Sequence, residues 1–243
     1  MTVIAKAWHS ASRTDAGKVR SGNEDAILDR PELGLWAVAD GMGGHRNGAL
    51  ASRLIVDRLA EQACEGPLAT RLAAIRQCLH DVNRQLSQAL TVTTDCPDPV
   101  MGSTVVALVV ADDRAACVWA GDSRCYLWRG GRLYQLSRDH SLRQQLLDEH
   151  AMSAEQVAAH PAAHALTRAV GASERLQLDI LEFETYPGDT LLLCSDGLYQ
   201  DLSADALPAA LGLPSTSLVL RRLFDEALTG PARDNLSAVV VRR

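Results

Sequence analysis

Acidic residues at the ends of apolar, strand-like runs are the feature of this sequence best suited to chemistry. If those run ends share one rim of the fold, the carboxylates converge. Two unit charges about 4 Å apart repel by roughly 4 kcal/mol at an effective dielectric near 20. Some of the acids must therefore stay protonated, or cations must neutralise them. The residues with this placement are Asp40, Asp122, Asp196 and Asp234.

Oxygen ligands favour a hard divalent cation. The short motifs around these acids offer carboxylates rather than imidazole or thiolate, so the expected ions are Mg²⁺ or Mn²⁺. Gly41, directly after Asp40, leaves room for a backbone carbonyl to approach an ion. Two ions bridged by a carboxylate would lower the pKa of a shared water, which suits in-line attack on a phosphate ester. Taken singly, Asp40-Gly41 is more typical of an ordinary turn than of a functional site.

A fixed cation for a phosphate dianion is also present in the sequence. Arg20 opens the segment Arg-Ser-Gly-Asn-Glu-Asp at residues 20–25. A guanidinium binds phosphate through two parallel hydrogen bonds, so Arg20 is the candidate phosphate ligand. The alternative for an isolated arginine is a plain surface position.

The elements that must position these residues come in blocks. A first strand is predicted within residues 3–12, followed by a hairpin of 26–29 with 35–39. Two helices and then an antiparallel meander follow. The predicted ranges are 49–63 and 68–90 for the helices, 91–100 for a loop, and 103–111, 115–120, 124–128 and 132–135 for the meander.

The second half begins with a polar, His-rich segment at 141–170, which we interpret as a surface insertion with short helices near 142–147 and 154–159. Strands and helices then resume without regular βαβ alternation, which favours antiparallel sheets covered by helices in one domain spanning residues 1–243. The predicted strands are 176–185, 190–194 and 236–241, and the helices are 204–211 and 217–228.

Composition excludes several classes of function. The chain has 243 residues, 47% of them hydrophobic, and a formal net charge of −6 with scattered basic residues, so no nucleic-acid partner is expected. No signal peptide or membrane span is evident, and we expect a cytoplasmic location without a membrane partner. The six cysteines form no C-x-x-C pair and are expected to be reduced and mostly buried.

Other catalytic classes fit the sequence less well. Cys78 and Arg84 have the spacing of a cysteine phosphatase, but they lie in a helical pattern with no glycine between them to expose backbone amides. The only lysines are Lys6 and Lys18, and neither lies in a P-loop pattern. No spacing among the remaining histidines suggests a ligand set, so these are expected to be surface or loop residues: His9, His80, His150, His160 and His164.

An ordered series of short motifs runs along nearly the whole chain. In this order and content the sequence resembles the PPM family, the PP2C-type metal-dependent serine/threonine protein phosphatases, in its single-domain bacterial form. The motifs are T-D-x-G-x-x-R-x-x-N-E-D at 14–25, V-A-D-G-M-G-G-H at 38–45, G-S-T at 102–104, G-D-S-R at 121–124, D-H-S at 139–141, L-T-R-A-V-G at 166–171, S-D-G-L at 195–198 and R-D-N-L-S at 233–237.

The resemblance implies an α+β fold: two antiparallel β-sheets packed face to face, helix pairs on both outer faces in a four-layer α-β-β-α sandwich, and a flap at about 139–166. It also implies roles for the site residues. Asp40 would bridge two metal ions, Gly41 would give its carbonyl to one of them, and Asp196 and Asp234 would bind the other. Glu24 and Asp25 match an acidic pair at the metal site, Asp122 with Asp196 matches a site for a third ion, and Arg20 matches the phosphate-binding arginine.

The sequence offers two candidates for the proton donor. Met42 stands where some members carry a histidine, and His45 lies three residues further on. His45 or a metal-bound water could protonate the leaving oxygen. The implied partners are phosphorylated proteins and a cognate serine/threonine kinase, and we expect a monomer. The alternatives are a catalytically silent phosphoprotein-binding module and an enzyme for small phosphoesters.

Overall fold

Antiparallel β-sheets packed face to face form the centre of the protein. The computed structural model describes residues 8–43, 47–62, 65–92, 101–149 and 152–243. Within these ranges the first sheet comprises five strands. In spatial order they are β1 (His9–Asp15), β11 (Leu236–Arg242), β10 (Thr190–Cys194), β7 (Arg124–Arg129) and β8 (Arg132–Gln135).

The second sheet comprises six strands in the same described ranges. Five lie side by side, and the short β4 (Gly102–Ser103) pairs with the end of β3 (Leu35–Met42). The predicted hairpin is confirmed, because β2 (Asp25–Arg30) turns through Pro31–Leu33 and pairs antiparallel with β3. The spatial order is β2, β3, β5 (Val105–Ala111), β6 (Arg114–Ala120) and β9 (Asp179–Glu184).

Helices cover the outer face of each sheet. The apolar positions of α7 (Thr216–Thr229) recur three and four residues apart, so one stripe of the helix faces the first sheet. α6 (Ala206–Leu211) packs beside it, whereas α1 (Asn47–Ala60) and α2 (Leu68–Val92) cover the second sheet. The predicted four-layer α-β-β-α arrangement is therefore confirmed. Within the described ranges, no helix combines the length and apolar character needed to cross a membrane.

The layer between the sheets is almost entirely apolar. Trp36 and Leu108 from the second sheet meet Leu193 and Val239 from the first, and all four side chains are fully buried. Removing such surface from water contributes about 25 cal/mol per Å². This core fixes how the two sheets meet and therefore where their strand ends lie. The described cysteines are free and buried, as predicted: Cys78, Cys117, Cys125 and Cys194.

The predicted meander is wrong at one point. β6 pairs with β9, while the next strand, β7, pairs with β10 in the other sheet. The chain changes sheets at Gly121, whose φ of 116° lies in a region that favours glycine. A Cβ there would lie 2.5 Å from the Cβ of Thr104, so the turn packs too closely for a side chain. The alternating pattern predicted one continuous meander and could not show that β5–β6 and β7–β8 belong to different sheets.

The predicted insertion contains two short helices, as the sequence indicated. α3 (Leu142–Asp148) is capped by the Ser141 side chain, and α4 (Ala154–Ala158) begins with a capping box formed by Ser153 and Gln156. A bridge between Ser141 and Leu166 closes the base of the segment. The structure adds a one-turn helix that the sequence did not predict, α5 (Asp196–Tyr199), directly after β10.

Candidate active site

The ends of four strands meet where the two sheets open at one rim. Asp25 lies opposite Asp40 in the β2–β3 register. The Ser195 hydroxyl, at the end of β10, donates to Asp25 Oδ2 at 2.8 Å and so ties one sheet to the other. Ser195 Oγ in turn accepts from the Ser237 amide of β11 at 3.0 Å. This register brings Asp196 and Asp234 to the same rim as Asp40.

A cleft of about 340 Å³ opens at this rim. Most of the residues predicted from the sequence line it, and Asp25 lies behind Asp40 with one oxygen fully enclosed. His45 lies outside the described residues. The lining residues that the sequence predicted are Arg20, Glu24, Asp40, Gly41, Asp122, Asp196 and Asp234.

Buried aspartates at the cleft have pKa values above that of a free carboxyl group. Burial raises the pKa of Asp25 to about 7, against hydrogen bonds from Ser237 and Ser195 that lower it. Burial, followed by the charges of Asp196 and Asp139, raises the pKa of Asp122 to about 7. The pKa of Asp40 is raised well above its ordinary value by burial and then by the neighbouring charge of Asp25. Such a cluster favours cation binding, because a cation would relieve the repulsion between its members.

The donor set fits a hard divalent cation. Asp25 Oδ1 is buried without a hydrogen-bond partner among the described residues. At Gly41 a Cβ would lie 2.2 Å from the Gly48 carbonyl oxygen. The backbones of Gly41 and Gly48 therefore pack too closely for a side chain at residue 41. Within the described ranges, no three His, Cys, Asp or Glu side chains converge closely enough to hold an ion unaided. The oxygens are therefore gathered at one rim, but their side chains are not in coordination geometry.

One reason is the position of Asp234. Arg20 Nε donates to Asp234 Oδ1 at 2.9 Å, and Arg20 Nη2 donates to Oδ2 at 2.8 Å. The hydrogen bonds to Asp234, and then its negative charge, raise the pKa of Arg20. Both side chains remain about half exposed, at 55% and 41%. The predicted phosphate ligand and the predicted metal ligand thus contact each other across the cleft.

Several residues that hold the predicted ligands in place were not assigned a role from the sequence. Thr104 Oγ1 accepts from the Asp40 amide at 3.1 Å and lies 2.7 Å from Ser123 Oγ. The Asn235 side chain accepts from the Glu24 amide and donates to the Gly22 carbonyl, so it fixes the loop that carries Arg20. Thr104 and Asn235 belong to the recognised motifs, but their partners are distant in sequence.

The turn that carries Asp122 is held from two sides. His140 Nδ1 accepts from the Gly121 amide at 3.2 Å, and the Tyr199 hydroxyl donates to the Asp122 carbonyl at 3.1 Å. Tyr199 lies on the unpredicted helix α5. His164 is exposed, as predicted, but it lines the cleft, which its spacing in sequence could not indicate.

A fold of two stacked antiparallel sheets with a carboxylate-rich cleft at one rim defines the PPM class of phosphatases. The chain belongs to the Protein phosphatase 2C family, whose model matches residues 16–238.

Solved structures share both fold and sequence. PppA, described as a key regulatory component of T6SS in Pseudomonas aeruginosa, is 43% identical with a TM-score of 0.90, covering 98% of each chain. The Mycobacterium tuberculosis serine/threonine phosphatase PstP is 34% identical with a TM-score of 0.86, covering 97% of this chain and 98% of that one. The PstP catalytic domain has also been solved with two manganese ions, at a TM-score of 0.84, 34% identity and 97% coverage of each chain.

Curated relatives differ in length. The serine/threonine phosphatase Stp of Listeria monocytogenes is 32% identical over 97% of this chain and 96% of its own length. Full-length M. tuberculosis PstP is 35% identical over 95% of this chain, but the match spans only 44% of PstP. The chain therefore spans less than half the length of that relative.

Proposed function

We propose that the protein is a metal-dependent phosphoprotein phosphatase that hydrolyses phosphoserine and phosphothreonine by direct attack of water. The observation that carries the proposal is the cleft itself, where carboxylates from both sheets face the guanidinium of Arg20, the one arginine among the described residues that line it. An apolar ligand would leave the charges of the carboxylates uncompensated. A cationic ligand would leave Arg20 without a role. A phosphate ester bound together with divalent cations satisfies both.

We propose the ligand roles that the family resemblance implies, and the gathering of the oxygens at one rim supports them. Asp40, at the centre of the rim, would be shared by two ions, and the tightly packed Gly41 would present its carbonyl to one of them. Asp196 and Asp234 would bind the other. Glu24 and Asp25 would either bind an ion directly or orient the groups that bind it. Asp122, which faces Asp196, would hold a third ion with it. Bound Mn²⁺ or Mg²⁺ would lower the pKa of a ligand water and neutralise phosphate charge.

Arg20 would orient the substrate. Asp234 engages its Nε and Nη2, which leaves Nη1 to donate to a phosphoryl oxygen. Charge-assisted hydrogen bonds of this kind are about twice as strong as neutral ones. The leaving oxygen needs a proton, for which His45 is one candidate. His164, which lies at the edge of the cleft, is another.

Phosphorylated proteins, produced by a serine/threonine kinase, are the proposed substrates. The names of the relatives support this, since PstP and Stp are both called serine/threonine phosphatases. A silent phosphoprotein-binding module of the same fold would not need the complete set of acids. That set is present here, together with Arg20.

Turnover of p-nitrophenyl phosphate and of a phosphothreonine peptide tests the proposal. Each should be measured with Mn²⁺, with Mg²⁺ and with EDTA. We expect turnover of both substrates with metal and none with EDTA. Activity that survives removal of metal would reject the mechanism, and a protein that binds the peptide but is inactive with both metals would favour the binding module. Turnover of the nitrophenyl ester alone would indicate a small phosphoester as substrate.

A further inference from the structure

A second cleft adjoins the candidate active site. It has a volume of about 430 Å³ and lies between α3 of the insertion and α5 of the sheet core. Asp122 and His164 line both clefts, so the two are continuous. Apart from these two shared residues, nothing in the proposed hydrolysis uses the second cleft. Its position nevertheless places it beside any phosphate bound at the first.

One of its two arginines is already engaged. Arg124 Nε and Nη2 donate to the two oxygens of Asp139 at 2.8 and 2.7 Å, and its Nη1 donates to the Tyr126 hydroxyl at 3.0 Å. Its guanidinium carbon also lies 3.7 Å from the centroid of the Tyr199 ring. The Arg124–Asp139 pair is mostly buried and its charges cancel. It therefore forms a fixed wall of the cleft.

The other arginine is free. Arg143 is exposed on α3, and its backbone amide donates to the Ala163 carbonyl at 2.9 Å, which anchors the base of the side chain. Its guanidinium makes no hydrogen bond or ion pair with any described residue. The next residue, Gln144, is instead bonded to Asp148 at 2.7 Å. Arg143 is thus the uncompensated cation of this cleft within the described ranges.

We propose that the second cleft receives the side chain of a residue close in sequence to the phosphorylated one, and that Arg143 selects an anionic residue there. The inference rests on the proposed phosphatase function. A substrate segment in extended conformation advances about 3.3–3.6 Å per residue, so the residues flanking the phosphorylated one reach an adjoining cleft. A free guanidinium favours a carboxylate or a second phosphoryl group over neutral side chains.

Paired peptides test this selectivity in the Mn²⁺-loaded protein. Each peptide carries one phosphothreonine and, at one of positions −3 to +3, glutamate, its neutral isostere glutamine, or the non-hydrolysable phosphonomethylene analogue of phosphoserine. We expect kcat/KM to be about fivefold higher for an anionic peptide than for its glutamine partner, chiefly through KM, because a partly exposed ion pair is worth about 1 kcal/mol. The glutamate and phosphonate peptides show which anion is preferred. The preference should shrink in 0.5 M NaCl.

Variants assign the preference to Arg143. In Arg143→Ala the ratio of the two kcat/KM values should fall to about one, in Arg143→Glu it should invert, and in Arg143→Lys part of it should remain. Arg221→Ala, an exposed arginine on α7 that lines neither cleft, should keep the wild-type ratio and activity. An unchanged ratio in Arg143→Ala, or no preference in the wild type, overturns the proposal. Failure to hydrolyse any phosphopeptide would instead overturn the phosphatase function and this inference with it.

Discussion

Arg20 and Asp234 form a two-point ion pair, with Nε 2.9 Å from Oδ1 and Nη2 2.8 Å from Oδ2. Both carboxylate oxygens of Asp234 are therefore engaged by the residue proposed to bind phosphate. A metal ion at Asp234 has to compete with Arg20 for at least one of them. We therefore expect metal affinity and phosphate affinity to be coupled through these two residues, which lie 214 positions apart in sequence.

The first prediction concerns that competition. Arg20→Ala should bind Mn²⁺ more tightly, by at most about fivefold, because a half-exposed pair is worth up to about 1 kcal/mol. The same variant should bind inorganic phosphate more weakly and show a raised KM. Calorimetry with Mn²⁺, and inhibition by phosphate, measure the two effects separately. Weaker Mn²⁺ binding in Arg20→Ala would mean that the arginine supports the metal site instead.

The close packing of Gly41 gives a second prediction. A Cβ at Gly41 would lie 2.2 Å from the Gly48 carbonyl oxygen and 2.7 Å from that of Glu24, and both obstacles are backbone. Gly41→Ala should therefore lower the free energy of unfolding by about 1–3 kcal/mol and weaken Mn²⁺ binding. Gly22→Ala is a matched control for stability in the same cleft, since its Cβ would meet nothing within 4 Å. Urea unfolding of both variants provides the comparison, and equal losses would refute the packing argument.

The third prediction is a dependence of stability on pH in EDTA. The folded-state pKa of Asp25 is about 7, well above the value of about 3.9 for an unfolded chain. A raised carboxyl pKa contributes stability that is complete below pH 4 and is lost as pH rises through 7. Burial lowers the pKa of His140, which changes stability in the opposite sense as pH rises. Comparing the wild type with Asp25→Asn cancels the contribution of His140, because both proteins contain it.

Relative to the wild type, Asp25→Asn should therefore become more stable as pH rises from 5 to 8. The midpoint of thermal unfolding, measured in EDTA at several pH values, gives the difference directly. Mn²⁺ at pH 8 should stabilise the wild type more than Asp25→Asn, because the ion replaces the lost proton in balancing the charge. A constant difference between the two proteins at all pH values would show that Asp25 does not titrate in this range.

The fourth prediction separates the proposed mechanism from cysteine chemistry. Cys78 is 7% exposed on α2, and burial raises the pKa of its thiol to about 11. A thiol of this kind is a poor nucleophile at neutral pH. Arg84, six residues on, is paired with Asp81. Cys78→Ser should retain wild-type turnover of p-nitrophenyl phosphate, and loss of activity without loss of folding would revive the cysteine mechanism.

The sequence predicted which residues meet at the cleft better than the contacts that hold them there. Asp40 could be recognised because an apolar run ends at it and a motif continues from it. The contacts that depend on the packing of distant elements could not be recognised from the sequence. Tyr199 holds the Asp122 carbonyl from a helix of one turn, which is too short to show a period, and His164 reaches the cleft only through the path of the insertion.

The same limit applies to the sheets. Alternation of apolar and polar residues predicts strands, but the passage of the chain from β6 to β7 depends on the backbone conformation of Gly121 and on its contact with Thr104. The ion pair of Arg20 with Asp234 could not be predicted from the sequence either. Each residue had a predicted role towards a ligand of its own, and the structure shows that the two side chains bind each other.

The central claim is that Asp40 organises a metal site on which hydrolysis depends. Calorimetric titration of wild type and Asp40→Asn with Mn²⁺, with phosphothreonine-peptide turnover measured in the same samples, tests it most directly. The wild type should bind at least two ions and turn over the peptide, whereas Asp40→Asn should remain folded, lose high-affinity binding and be inactive. Turnover by Asp40→Asn, or by the wild type in EDTA, would contradict the account.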